Sequence, residues 1–160
     1  MRIIGIDPGN ASTGWCEIHD GFPVACSKES NAIVFGWLRE RATQAEHPIL
    51  ALEAIASYGM AVGKEIFDTC YAIGRMWELW ESRGGTTRLV YRRDVKLFLC
   101  QSVRATDSNI RAALLDRFGG KAKAIGSKAN PGPLYSLKKD MWSALAVALT
   151  AEEQIRVGTL

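Results

Sequence analysis

Three carboxylates stand where carboxylates are costly. Asp7 closes the apolar run Arg2–Ile6, Glu53 sits inside the apolar stretch Pro48–Ile55, and Asp140 precedes the run Ala144–Leu149. Burying an isolated carboxylate is strongly unfavourable, so each calls for a cation. No Lys or Arg accompanies the first two in sequence. Hard oxygen donors suit Mg²⁺ or Mn²⁺, and two such ions about 4 Å apart activate a water and stabilise the leaving oxygen in phosphodiester cleavage. Each carboxylate taken singly also has a structural explanation: Asp7 as a turn residue, Glu53 as a salt-bridged strand residue, Asp140 as a charge favoured by a helix dipole.

The elements that must position these groups are readable in outline. Residues Arg2–Ile6 are β-prone, and Asp7-Pro8-Gly9-Asn10 ends that strand with turn chemistry. Thr13–Ile18 and Val24–Ser27 read as further strands joined through His19-Asp20-Gly21, a meander of short hairpins. Pro48–Ile55 reads as a strand buried on both faces, Glu53 apart. Ile66, Cys70, Ile73, Trp77 and Trp80 recur at spacings of four and three, predicting one face of a helix over Met60–Ser82, as core or dimer contact, with Gly84-Gly85 as its stop. A strand at Arg88–Tyr91 and a helix at Arg92–Cys100 follow. Thr106 or Asp107 caps a helix to Phe118, which Gly119-Gly120 ends. Lys121–Pro133 reads as a basic surface loop, and a last helix runs from about Lys138 to Gln154. The order implies a single α/β domain over residues 1–160 with a mixed sheet.

The formal net charge of +3 hides a division. Thirteen Lys or Arg against Asp94, Asp107 and Asp116 give Arg83–Lys139 a charge of +10, leaving −7 elsewhere. A basic face beside an acidic centre fits a polyanionic partner and metal cations together. Cys16, Cys26, Cys70 and Cys100 form no Cys-x-x-Cys pair, and His19 and His47 lack ligand spacing with them. Neither zinc nor a disulfide framework is expected, and each cysteine reads as a buried reduced thiol. No apolar run approaches the roughly 20 residues that cross a bilayer, and the N-terminus lacks signal-peptide regions, so a cytoplasmic protein without a small-molecule cofactor is expected.

Several stretches together resemble a known family. They are Ile3-Ile4-Gly5-Ile6-Asp7-Pro8-Gly9 with Thr13-Gly14-Trp15, Leu52-Glu53, and Asp140-Met141-Trp142-Ser143-Ala144-Leu145-Ala146-Val147-Ala148, with Arg92-Arg93-Asp94-Val95-Lys96 and Asn130-Pro131-Gly132-Pro133-Leu134-Tyr135. Over nearly the whole chain the sequence resembles the RuvC-type Holliday junction resolvases, most closely their phage-encoded branch. The resemblance implies an RNase H-like fold, with a central mixed sheet flanked by helices. It implies a homodimer that nicks four-way DNA junctions in pairs with Mg²⁺, or Mn²⁺ as substitute, two ions in number by the family's pattern, and a host cytoplasm for a phage-encoded chain. The metal ligands carry over to Asp7, Glu53 and Asp140. Where many members place a further acidic residue, this chain has Ser143, which stays on the same helical face and would hold a metal-bound water. Asp107 is the alternative fourth ligand, although a helix cap explains it better.

By position, Arg92, Arg93, Lys96, Arg104, Lys121, Lys123, Lys128, Lys138 and Lys139 are then the expected phosphate contacts. Tyr58 and Met60 are the side chains available after Glu53 to stack on or wedge a junction, with core packing as the other role. Three alternatives stay open: a catalytically weak branched-DNA-binding protein on the same fold, a flap or fork nuclease, and, on the first motif with the adjacent Ser12 and Thr13, an actin-like ATPase, against which the chain's length argues.

Overall fold

Five strands form one mixed sheet in the order β3-β2-β1-β4-β5: β1 (Arg2–Asp7), β2 (Ser12–His19), β3 (Phe22–Ser30), β4 (Ile49–Ala54) and β5 (Thr87–Tyr91). The computed structural model describes residues 1–57, 59 and 61–158. The first three strands pair antiparallel, as the hairpin signals predict, while β4 and β5 join parallel to β1. Parallel pairing requires crossovers. These are supplied by α1 (Asn31–Arg41) between β3 and β4 and by α2 (Lys64–Glu81) between β4 and β5. The chain then continues through α3 (Arg92–Cys100), α4 (Asp107–Arg117), α5 (Lys121–Ile125) and α6 (Asp140–Arg156).

Side chains alternate across a strand, and the alternation divides the core in two. On one face Ile4, Ile6, Leu50 and Leu52 pack with Val34, Phe35 and Leu38 of α1 and with Ala72, Ile73, Met76 and Trp80 of α2. On the other, Ile3, Cys16, Ile18, Ala51 and Val90 pack with α6, supported by Val95 of α3 and Ile110 and Leu114 of α4. Each fully buried Leu or Ile contributes about 1.5–3 kcal/mol of transfer free energy. Residues Ala144–Ala151 of α6 are buried without interruption, so this helix is covered all round rather than amphipathic. Its alanines make the close approach possible.

Several elements differ from the sequence expectation. The stretch after β3, to which no element was assigned, forms α1, capped by Ser30 accepting from Ile33 N at 3.4 Å. The helix expected from Met60 starts at Lys64, and its buried stripe is Thr69, Ala72, Ile73, Met76 and Trp80, with Cys70 and Trp77 exposed. Met76 and Trp80 fill the sheet side, and Trp80 donates its indole N–H to Pro48 O at 3.2 Å. Part of the expected loop Lys121–Pro133 is α5, and α6 begins at Asp140 rather than Lys138. The cysteine expectation is also corrected: Cys16 and Cys26 stand opposite each other in the β2–β3 ladder and are joined as a disulfide, and Cys70 is exposed rather than buried. That pairing depends on strand register, which spacing alone does not reveal. No helix among the described residues is long and apolar enough to cross a membrane.

Candidate metal centre and flanking basic clefts

Strand register brings the first two carboxylates together. The parallel ladder between β1 and β4 ends with Ile6 opposite Leu52, so Asp7 and Glu53 come next on each strand. Asp7 shares parity with Ile3, and Glu53 with Ala51, so alternation turns both toward the α6 face. Asp140 is the first residue of α6 and meets them from above. There its charge also complements the helix dipole.

Two glycines set how near α6 can come. A Cβ on Gly5 would fall on the Ala144 carbonyl and lie 2.7 Å from Ala148 N. A Cβ on Gly14, beside Asp7 in the β1–β2 ladder, would lie 2.8 Å from both Asp140 Cβ and its carbonyl oxygen. The start of α6 is further fixed by Trp142, whose indole donates to Leu137 O at 3.2 Å and whose ring carries the Arg111 guanidinium at 4.7 Å. Lys139, just before it, holds φ at 44°, a conformation that L-residues rarely adopt. The turn after Asp7 is tied down by Asn31, which donates to Gly9 O at 2.9 Å and accepts from Thr13 Oγ1 at 2.7 Å.

The resulting cleft, about 480 Å³, is lined by Asp7, Pro8, Glu53, Arg92, Asp107, Asp140 and Ser143 among others. Burial pushes the Asp7 carboxyl up to about 7, with the nearby Glu53 and Asp140 charges adding to the effect, while Arg92 and the Ser143 hydroxyl oppose it. Burial also raises Glu53, against the pull of Arg92. Arg92 approaches Glu53 at 3.5 Å and pairs with Asp107 on its other side. Burial works against charge on Arg92, but these two carboxylates outweigh it and raise its pKa. Lys28 of β3 pairs with Asp140. Its Cα partner in the ladder is Gly14, so the lysine reaches Asp140 over a residue that has no side chain.

Three carboxylates and a hydroxyl are the donor set of a hard divalent cation, and the raised Asp7 is a group that such a cation would relieve. Among the described residues no three His, Cys, Asp or Glu side chains are gathered closely enough to hold one ion. Glu53 is turned to Arg92 and Asp140 to Lys28. Of the two expected cap candidates Thr106 is the cap, accepting from Asn109 N, and Asp107 is instead 84% exposed and faces Arg92.

The expected phosphate contacts divide into groups. Arg92 also lines a neighbouring cleft with Arg93, Lys96 and Val103, and a further one in which Lys139 meets Asp140 and Ser143. Arg104 is exposed in the turn after α3, Lys121 and Lys123 are exposed on α5, and Lys128 and Lys138 are exposed in the segments before α6. Tyr58 and Met60 lie outside the described residues. Sequence reasoning missed Lys28 and Asn31. Lys28 sits in a strand where it looks like any surface lysine, and only register places it over Gly14.

No protein-family model matches the sequence, and no curated protein sequence matches it significantly. The fold does match solved structures. The "Thermus thermophilus RuvC structure" superposes with a TM-score of 0.71 at 19% identity, covering 99% of this chain and 98% of that one. A structure of "T. thermophilus RuvC in complex with Holliday junction substrate" does so with a TM-score of 0.69 at 18% identity, covering 99% and 97%. The chain thus has the RNase H-like fold of RuvC over its full length.

Proposed function

We propose that this chain is a metal-dependent endonuclease that resolves four-way DNA junctions by paired nicks. The observation that carries the reading is the convergence of Asp7, Glu53 and Asp140, from β1, β4 and α6, on one open cleft flanked by basic clefts. Support for the substrate comes from the full-length fold match to a protein solved with a Holliday junction. Asp7, Glu53 and Asp140 would hold Mg²⁺ or Mn²⁺, with Ser143 on the adjoining turn of α6. Bound there, the metal would lower the pKa of a water and stabilise the leaving oxygen.

The chain's own residues do the rest. Asp7, its carboxyl raised by burial and by the neighbouring Glu53 and Asp140 charges, would give up its proton on taking up a cation. Arg93, Lys96 and Lys139 lie beside the acidic cleft, where they would take the phosphates on either side of the cut. The exposed Phe67, Tyr71 and Trp77 of α2 offer an apolar face for a second copy, and a two-fold enzyme suits a two-fold junction. A second reading, junction binding with weak cutting, is favoured by Ser143 and by the two ion pairs that engage Glu53 and Asp140.

Nicking of a synthetic four-way junction, a flap and a linear duplex, with Mg²⁺ and with Mn²⁺, separates the readings. The junction should be cut in preference to the duplex. Asp7→Asn should lower the rate by about 100-fold or more while junction binding persists. Cleavage by that variant at the wild-type rate would sink the proposal, and binding without cutting by the wild type would establish the second reading.

A further inference from the structure

The acidic cleft carries its own cations. Glu53, 14% exposed, faces Arg92, and Asp140 faces Lys28, while Asp7 between them has no ion pair among the described residues. The two cations come from opposite sides of the sheet: Lys28 from edge strand β3, Arg92 from the first turn of α3 beyond edge strand β5. Neither pair is closed off like that of Glu17, which is 3% exposed and held by Arg2 and Arg41 together: Lys28 and Asp140 meet in close contact but each is about one-third exposed, and Arg92 stands off from Glu53. Arg92 sits at 3.5 Å from Glu53, divides itself between Glu53 and Asp107, and borders the cleft it shares with Arg93 and Lys96. Lys28 is about one-third exposed on a long flexible stem.

A divalent cation at Asp7, Glu53 and Asp140 needs the oxygens that these two cations now engage. A lysine or guanidinium and a metal ion held by the same carboxylate repel each other at close range, so each weakens the other's hold on it. Resting on the metal-site reading above, we infer that Lys28 and Arg92 are exchangeable counter-cations. They hold Asp140 and Glu53 in the metal-free protein, compete with the metal, and on its arrival are released toward the DNA phosphates. Their role is positioning: they keep a cluster of three carboxylates tolerable until the ion arrives, and they lower its affinity in doing so.

Calorimetric titration of DNA-free protein with Mn²⁺ tests this without recourse to activity. Lys28→Gln and Arg92→Gln should each bind Mn²⁺ about tenfold more tightly than wild type, within the usual range for two coupled sites. Lys28→Arg and Arg92→Lys, which keep the charge, should return close to wild-type affinity. A merely structural role predicts weaker binding in the Gln variants. If both bind Mn²⁺ no more tightly than wild type, the inference is overturned. Asp7→Asn is the control: loss of Mn²⁺ binding confirms where the ion sits, and retained binding overturns the metal-site reading and this inference with it. Should Arg92→Gln not fold, Lys28, about one-third exposed, carries the test. A second measurement uses the wild type alone: acetylation of Lys28, followed by mass spectrometry against exposed Lys121, should rise when Mn²⁺ is added, and a fall would contradict release.

Discussion

Replacing Asp7 by Asn should make the metal-free protein more stable at alkaline pH. In the folded chain the Asp7 carboxyl is raised from 3.8 to about 7, by burial first and then by Glu53 and Asp140. The unfolded chain releases that proton near pH 4. Between about pH 4 and pH 7 the folded state therefore holds more protons than the unfolded state, and stability falls as pH rises. The full cost is present above pH 7. At about 1.4 kcal/mol for each tenfold change in proton affinity, the rise to about 7 sets a ceiling of about 4 kcal/mol. Sharing of charge with Glu53 and the open mouth of the cleft reduce this to roughly 2–4 kcal/mol. Asn keeps the shape, donates a hydrogen bond to Glu53 and carries no charge. In a chain of this size the gain corresponds to about 5–10 °C in Tm. Thermal unfolding followed by circular dichroism in EDTA at pH 4, 6 and 8 is the assay. The Tm difference between variant and wild type should be small at pH 4 and largest at pH 8. A variant no more stable at pH 8, or a difference independent of pH, would refute the electrostatic account of the site.

Two further predictions rest on α6. Gly5→Ala puts a methyl group on the Ala144 carbonyl and against Ala148; it should cost roughly 3 kcal/mol or more, read as a lower midpoint in urea unfolding. Ser143→Asp adds a carboxylate on the Asp140 face of the helix, so the metal-free Tm should drop while Mn²⁺ binds more tightly in calorimetry. Unchanged Tm and unchanged affinity would place Ser143 outside the site.

The carboxylates were legible because each violates its surroundings: Asp7 ends an apolar strand with Pro8-Gly9, Glu53 interrupts Leu50-Ala51-Leu52 and Ala54, and Asp140 opens an alanine-rich helix. The antiparallel start of the sheet followed from hairpin chemistry, and its mixed character from the helices interleaved with the later strands. What stayed hidden depends on register and on reach. Lys28 becomes a partner of Asp140 only because β3 pairs Lys28 with Gly14. Arg92 leaves the surface because it bridges Glu53 and Asp107, 39 and 15 residues away. The Cys16–Cys26 pair is likewise a statement about register. On α2 the aromatic repeat pointed to Trp77 and Cys70, yet the sheet receives Ala72 and Met76, since a long helix offers overlapping apolar stripes and only packing selects one. Helix α1 buries three large side chains, Val34, Phe35 and Leu38, across a single turn, too few for its period to stand out.

Gly5 lies under the middle of α6, away from the carboxylates, yet it works as a gauge for them. With backbone touching backbone, the gap between helix and sheet is set by atom radii alone, and no side chain there can compress, rotate or be swapped to retune it. Asp140 is thereby held at a fixed height over Asp7 and Glu53 by a contact that contains none of the three. A displacement of about 1 Å can cost two orders of magnitude in rate. Under the proposed function, small-residue positions such as Gly5, Gly14 and Ala148 should govern the cleavage rate as much as the acidic cleft itself.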